Sequence, residues 1–293
     1  MRLSELAAER GIDSFQFEDF LFVSGPLKQD PARLVLVGGQ AIETWGHYFH
    51  VLPPTGDHVP LTEDTDFLGS ANDARWLCKL LGRADTELIL AKNFDPSPNA
   101  AIAYIKRPDG RILMIDFLRA IVGVNNADIT SMAVRVEIAG NVIHVLHPLL
   151  CLKSRLANLA TLASKRNTNG VMQAHWAIDI VRAYLVSLLG RGATQRELIK
   201  QFSVVSEIAE FGSGPYCFKH YKIDPLTAIS AEMVERVGSR FVTEDWPRRL
   251  ARIEEKRKRF AQQIMKFNLS DVAPNQTIPN IGAGLLRQLP SKT

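Results

Sequence analysis

Asp64 and Asp66, one residue apart in Leu61-Thr62-Glu63-Asp64-Thr65-Asp66-Phe67, have the residue type and spacing best suited to chemistry in this chain. On a strand, positions i and i+2 point to one face, so the pair sets two like charges side by side. That is costly unless a cation lies between them, and carboxylate oxygens are the ligands a hard divalent ion such as Mg²⁺ prefers. A third carboxylate, Asp116, sits in Arg111–Leu118, where Leu113, Ile115 and Phe117 line one face and Ile112, Met114 and Leu118 the other. Desolvation there demands a partner for the charge. Two readings are open: a buried ion pair with an arginine, or a third member of a metal-holding set.

The elements that must position these groups can also be read. Leu34-Val35-Leu36-Val37 is a short apolar run bounded by Gly38-Gly39, which predicts a buried strand and a break. Beyond the glycines, Ala41, Ile42, Trp45, Tyr48 and Phe49 recur at helical spacing. A helix entered through glycine offers free N–H groups and a positive dipole end, which suits a phosphate. A phosphate cradle facing a carboxylate pair is an arrangement for nucleotide chemistry.

The Gly38-Gly39 turn followed by Asp64-x-Asp66 resembles the signature of the DNA polymerase β-like nucleotidyltransferase superfamily. The surrounding Val37-Gly38-Gly39-Gln40-Ala41 and Leu61–Phe67 are most similar to its toxin-type branch, the AbiEii-like proteins. The gap between Gly39 and Asp64 is longer than that family shows, and residues 47–60 read as an inserted loop with Pro53-Pro54 and Gly56. The resemblance implies that Asp64 and Asp66 hold metal ions, Mg²⁺ or Mn²⁺. Asp116 would hold one of them and help activate an acceptor hydroxyl. Gly38, Gly39 and Gln40 would hold the triphosphate of an NTP co-substrate, ATP among the possible ones. Lys153, in His147-Pro148-Leu149-Leu150-Cys151-Leu152-Lys153, falls where the AbiEii-like pattern has a lysine; it would reach the phosphates, or else stand as a solvated lysine on its helix. Asp179 matches the last acid of a D-x-x-D helix, but Trp176 occupies the place of the first.

The implied activity is metal-dependent transfer of a nucleotidyl group from an NTP to a hydroxyl, in a toxin-type enzyme acting on tRNA or another RNA beside a cognate antitoxin protein. The same fold serves small-molecule nucleotidyltransferases of the antibiotic-modifying kind and non-catalytic nucleotide-binding or interaction proteins, and these stay open. A dinucleotide-binding oxidoreductase is excluded by the missing G-x-G-x-x-G, since only Gly46 follows Gly38-Gly39.

The composition agrees with a soluble globular protein: 293 residues, 46% hydrophobic and 23% charged, with net charge +4. No apolar run approaches the roughly 20 residues of a membrane span, and the N-terminus lacks a signal-peptide pattern, so a cytoplasmic protein without membrane contact is expected. Cys78, Cys151 and Cys217 are odd in number and widely spaced, which reads as reduced thiols. His47, His50 and His58 lack the spacing of a zinc pair, and His175 with Asp179 at i and i+4 reads as a helix-surface pair.

The fold class expected is α/β (α+β). Residues 1–147 form a nucleotidyltransferase-like domain with a mixed sheet, and residues 148–293 a helical domain with a loose tail. Within the first, residues 1–30 give a short helix and a mixed connector, and a helix over Arg75–Leu81 is capped by Asn72 or Asp73. Glu87–Ala91 is a strand, and a hairpin joins Ala101–Lys106 to Arg111–Leu118 through Pro108-Asp109-Gly110. Two more strands cover 133–138 and 142–146. Helices follow over 148–164, 171–189, 194–211, 227–237 and 245–267. Arg248, Arg249, Arg252, Lys256, Arg257, Lys258 and Arg259 make the last of these basic, a property suited to a polyanionic acceptor.

Overall fold

Residues Val35–Val37 form β1, a strand buried at every position, as expected of one paired on both edges. It is the pivot of a seven-stranded mixed sheet in a computed structural model that describes residues 2–13, 15–54, 65–92 and 97–270. Asp64, His58, residues 55–60 of the inserted loop and the tail beyond Ser270 lie outside the described residues. In chain order, α1 (Leu3–Arg10) and α2 (Phe17–Ser24) precede β1, and α3 (Gly38–Phe49) and β2 (Thr65–Leu68) follow it. Then come α4 (Ala71–Leu81), β3 (Thr86–Leu90), β4 (Asn99–Lys106), β5 (Ile112–Leu118), α5 (Asn126–Met132), β6 (Val134–Ile138) and β7 (Asn141–Val145). The remainder is helical: α6 (Pro148–Thr161), α7 (Thr168–Gly190), α8 (Gln195–Glu210), α9 (Ser213–Tyr221), α10 (Ala231–Glu235) and α11 (Trp246–Ser270).

The strand order is β3-β4-β5-β2-β1-β7-β6. β1 runs antiparallel to β2 and parallel to β7, and β2 runs parallel to β5. One face of the sheet is closed: Leu36, Phe67, Leu113, Ile115, Phe117, Ile143 and Val145 are all buried. The alternate positions Asp66, Leu68, Met114, Asp116, Leu118 and His144 are half-buried, so the other face is partly open.

The β4–β5 hairpin is anchored by charge. Its turn places Gly110 at a φ of +87°, the left-handed position expected after Pro108-Asp109. Arg111 donates twice to Asp19 of α2, at 2.7 and 2.8 Å, and Arg107 pairs with the same fully buried carboxylate at 3.1 Å.

Local capping accounts for several boundaries. Ser70, rather than Asn72 or Asp73, caps α4; Asp73 is its reciprocal partner in the capping box, so the helix starts earlier than the apolar stripe alone suggests. His147 caps α6 and Pro148 occupies its first turn. The single helix expected over 227–237 is instead a 3₁₀ turn, Pro225–Ala228, and the short α10. Ser230 divides them by accepting from the Met233 N–H. Helices α2, α5 and α9 fall in stretches where the apolar spacing predicts none. Among α3's expected apolar positions Tyr48 departs, being 53% exposed.

The helical part packs on the sheet part through α3 and α7. Trp45 Nε1 donates to the Leu146 carbonyl at 2.7 Å, and Trp176 Nε1 to that of Val51 at 3.1 Å. All three cysteines are free and buried. Among the described residues no helix is long and apolar enough to cross a membrane.

Candidate active site

Strand pairing brings two of the three predicted carboxylates together. β2 and β5 are parallel neighbours in which Asp66 is the register partner of Asp116. Their side chains share the half-open face at adjacent-strand spacing, about 4.8 Å. Residues 50 apart in sequence thus form one carboxylate pair at the centre of the sheet. Asp64 lies outside the described residues.

Gly38 completes the close contact. Val37 pairs with Asp66 across β1 and β2, so the chain leaving β1 passes directly over that carboxylate. Gly38 has a φ of +70°, and a Cβ built on it would land on the Asp66 carboxyl group. Both facts require glycine, for the backbone angle and for the approach. Gly39 follows as a buried residue in the first turn of α3.

Gln40 and Lys153 each line a cavity. Gln40 is 5% exposed and lines a cavity of about 20 Å³ between α2 and α3 with Gln16, Glu43 and His47. Burial there pushes the Glu43 carboxyl up to about 7. Lys153 is exposed and lines a cleft of about 450 Å³ between α5, α6 and α8, which it shares with Asp128 and Glu207. Asp179 is engaged by Arg182 at 2.8 Å, not by His175. Among the described residues no group of three metal-ligating side chains is assembled.

A second cleft, of about 520 Å³, escapes sequence inspection. Its floor is Val35, Leu68 and Leu118, and its polar rim includes Arg33, Arg119 and His144. The only local signal is His144, a polar residue between buried Ile143 and Val145. The rest depends on which strands become neighbours.

Whether Asp66 and Asp116 suit a divalent ion can be tested on the donor set. Like charges in register on adjacent strands are destabilising by themselves, and hard carboxylate oxygens at that spacing match the ligands of Mg²⁺ or Mn²⁺. The residues fit such an ion.

No family model matches this chain, and no curated protein matches it. Among solved structures it is similar to an antigenic nucleotidyltransferase-like protein from Paracoccidioides brasiliensis, at 15% identity and a TM-score of 0.36, covering 61% of this chain and 90% of that one. It is also similar to the Megavirus polyadenylate synthase, at 14% identity and a TM-score of 0.35, covering 64% of this chain and 41% of that one. Likeness at this level decides nothing about the chain's chemistry.

Proposed function

We propose that the chain is a metal-dependent nucleotidyltransferase that moves a nucleoside monophosphate group from an NTP to a hydroxyl acceptor. One observation carries this reading: Asp66 and Asp116 stand in register on one face with the Gly38 backbone pressed against Asp66. A purely structural sheet centre has no need of two carboxylates and a glycine that admits no side chain.

In this reading Asp64, Asp66 and Asp116 hold Mg²⁺ or Mn²⁺, which when bound stabilises charge on the attacking and leaving oxygens. The N–H groups at Gly38 and Gly39, at the start of α3, orient the triphosphate. The acceptor oxygen attacks the α-phosphorus and forms a new O–P bond. The bond from that phosphorus to the bridging oxygen breaks, and pyrophosphate leaves with its electron pair. The hydroxyl proton passes to Asp116 and on to water. Gln40, in the first turn of α3, joins them in holding the triphosphate. Lys153 is proposed to meet the triphosphate from the α6 cleft as a point charge. Lys153→Ala then raises KM for the NTP more than it lowers kcat, and an unchanged KM removes Lys153 from the account.

The acceptor class we favour is RNA, tRNA included, in a toxin-type enzyme with a cognate antitoxin; this finer assignment rests on the motif resemblance. Incubation with each labelled NTP, Mg²⁺ and a cell extract tests it. Label in the tRNA size range supports it, whereas label confined to small molecules favours the antibiotic-type reading.

A further inference from the structure

The 520 Å³ cleft continues the open face on which the carboxylate pair lies. Leu68 and Leu118 follow Asp66 and Asp116 by two residues, so all four side chains point the same way. The cleft floor is therefore displaced from the carboxylates by about 6.6 Å along the strands. Val35 is in register with Leu68, and His144 with Val35, which extends the floor across β1 and β7. Arg135, exposed on β6, is the register partner of His144 and adds a cation at that margin.

The rim of this cleft is one-signed. Among the described residues that line it, none is acidic, while Arg33 and Arg119 are cationic and His144 can become so. Arg33 is partly neutralised, since its Nε donates to Asp73 at 2.7 Å and its guanidinium lies over the Trp76 ring. Arg119 differs. Its backbone is fixed at both ends: the N–H donates to the Pro98 carbonyl at 2.8 Å, and its carbonyl accepts from Asn126 Nδ2 at 2.7 Å. Its side chain is exposed, and no ion pair with another described residue engages it. A guanidinium held at its base and open at its tip, over an apolar floor, is suited to a phosphate.

We infer that this cleft seats a phosphate group of the acceptor substrate, with Arg119 as its principal ligand, while the acceptor hydroxyl reaches the carboxylates. The inference rests on the proposed transferase reading and narrows the acceptor to a phosphate-bearing molecule. The shared chemistry is a phosphate close to a free hydroxyl, which both an RNA 3′ end and a phosphorylated small molecule offer.

The test is direct binding without NTP or divalent ion, so that it does not depend on turnover. Fluorescently labelled short oligoribonucleotide with a free 3′-hydroxyl, nucleoside 5′-monophosphate and the phosphate-free nucleoside are titrated into wild type, Arg119→Gln and, as a control outside the cleft, Lys200→Gln on α8. For the phosphorylated ligands, Arg119→Gln is expected to lose about tenfold in affinity. The oligonucleotide's log–log salt slope should fall by about 0.7. Lys200→Gln should match wild type. A stronger Arg119 effect on the oligonucleotide than on the monophosphate assigns the phosphate to an RNA end, and the reverse order to a small molecule. Equal affinity in wild type and Arg119→Gln for every phosphorylated ligand, or a nucleoside that binds as tightly as its monophosphate, overturns the inference. That outcome leaves metal-dependent transfer standing; loss of transfer with Arg119-dependent binding intact would overturn only the transferase reading.

Discussion

At the residue scale, the tightest constraint falls on Gly38. An alanine there must both adopt a φ of +70° and displace the Asp66 carboxylate. Gly38→Ala is expected to destabilise the fold by about 1–3 kcal/mol, measured by urea denaturation, and to reduce any nucleotidyl transfer more than stability alone explains. A second constraint is His147. Its Nδ1 accepts the Leu149 N–H at 3.2 Å, which caps α6, and its Nε2 lies 3.2 Å from the Tyr184 hydroxyl. Burial holds the imidazole down at about 4, so the neutral form is the folded one. A group depressed in the fold contributes stability above its unfolded value, about 6.5, and loses it as pH falls toward 4. Protonation would also remove the Nδ1 acceptor and with it the cap. Glu43, raised to about 7, acts in the opposite direction, because its burial favours the protonated form. The comparison of wild type with His147→Asn isolates the histidine, since Asn caps without titrating there. The expected result is a steeper loss of thermal midpoint between pH 6.5 and 4 in wild type than in the variant; parallel curves would rule the mechanism out.

At the scale of elements, the carboxylate pair depends on the hairpin that delivers β5. Asp19 holds that hairpin through two arginines while fully buried. Asp19→Asn leaves both guanidinium groups short of an anion and is expected to cost about 3–5 kcal/mol, read as a large drop in the urea midpoint. A change under 1 kcal/mol would show that solvent replaces Asp19 at little cost. Much of this layer was legible beforehand. Val35–Val37 and the α6 leucines carry their periods plainly, and Pro108-Asp109-Gly110 names its own turn. What was not legible had physical causes. In α9 the starting Ser213-Gly214-Pro215 looks like a break, yet Gly214 is needed because a Cβ there would meet the backbone carbonyls of Ile208 and Ala209. In α2 the cap is Gln16 with Asp19, an acid whose larger task is at the hairpin. The cationic cleft left no signal beyond His144, since its walls come from β1, β2, β5 and β7 and depend on strand order.

At the scale of the molecule, part of the positive charge on the basic C-terminal helix is paired within the chain. Arg257 is buried at 9% exposure, paired with Asp224 and stacked on Phe218. Arg252 is held by Glu210, Arg259 by Glu255 and Arg248 by Glu244. Arg257 is thus a structural link between α11 and the Asp224 turn, and Arg257→Ala is expected to lower the thermal midpoint rather than to report on RNA binding. If tRNA does bind along α11, the exposed Lys258 and Arg259 are the residues whose replacement should soften its salt dependence without changing stability. In the proposed function the chemistry sits at the sheet centre. The most direct test measures transfer from a labelled NTP, with and without Mg²⁺, by wild type, Asp66→Asn and Asp116→Asn, each first checked for an unchanged fold by circular dichroism. The account predicts Mg²⁺-dependent labelling in wild type that is abolished by chelator and by either substitution. Labelling that persists in excess chelator, or at the wild-type rate in both variants, would contradict it.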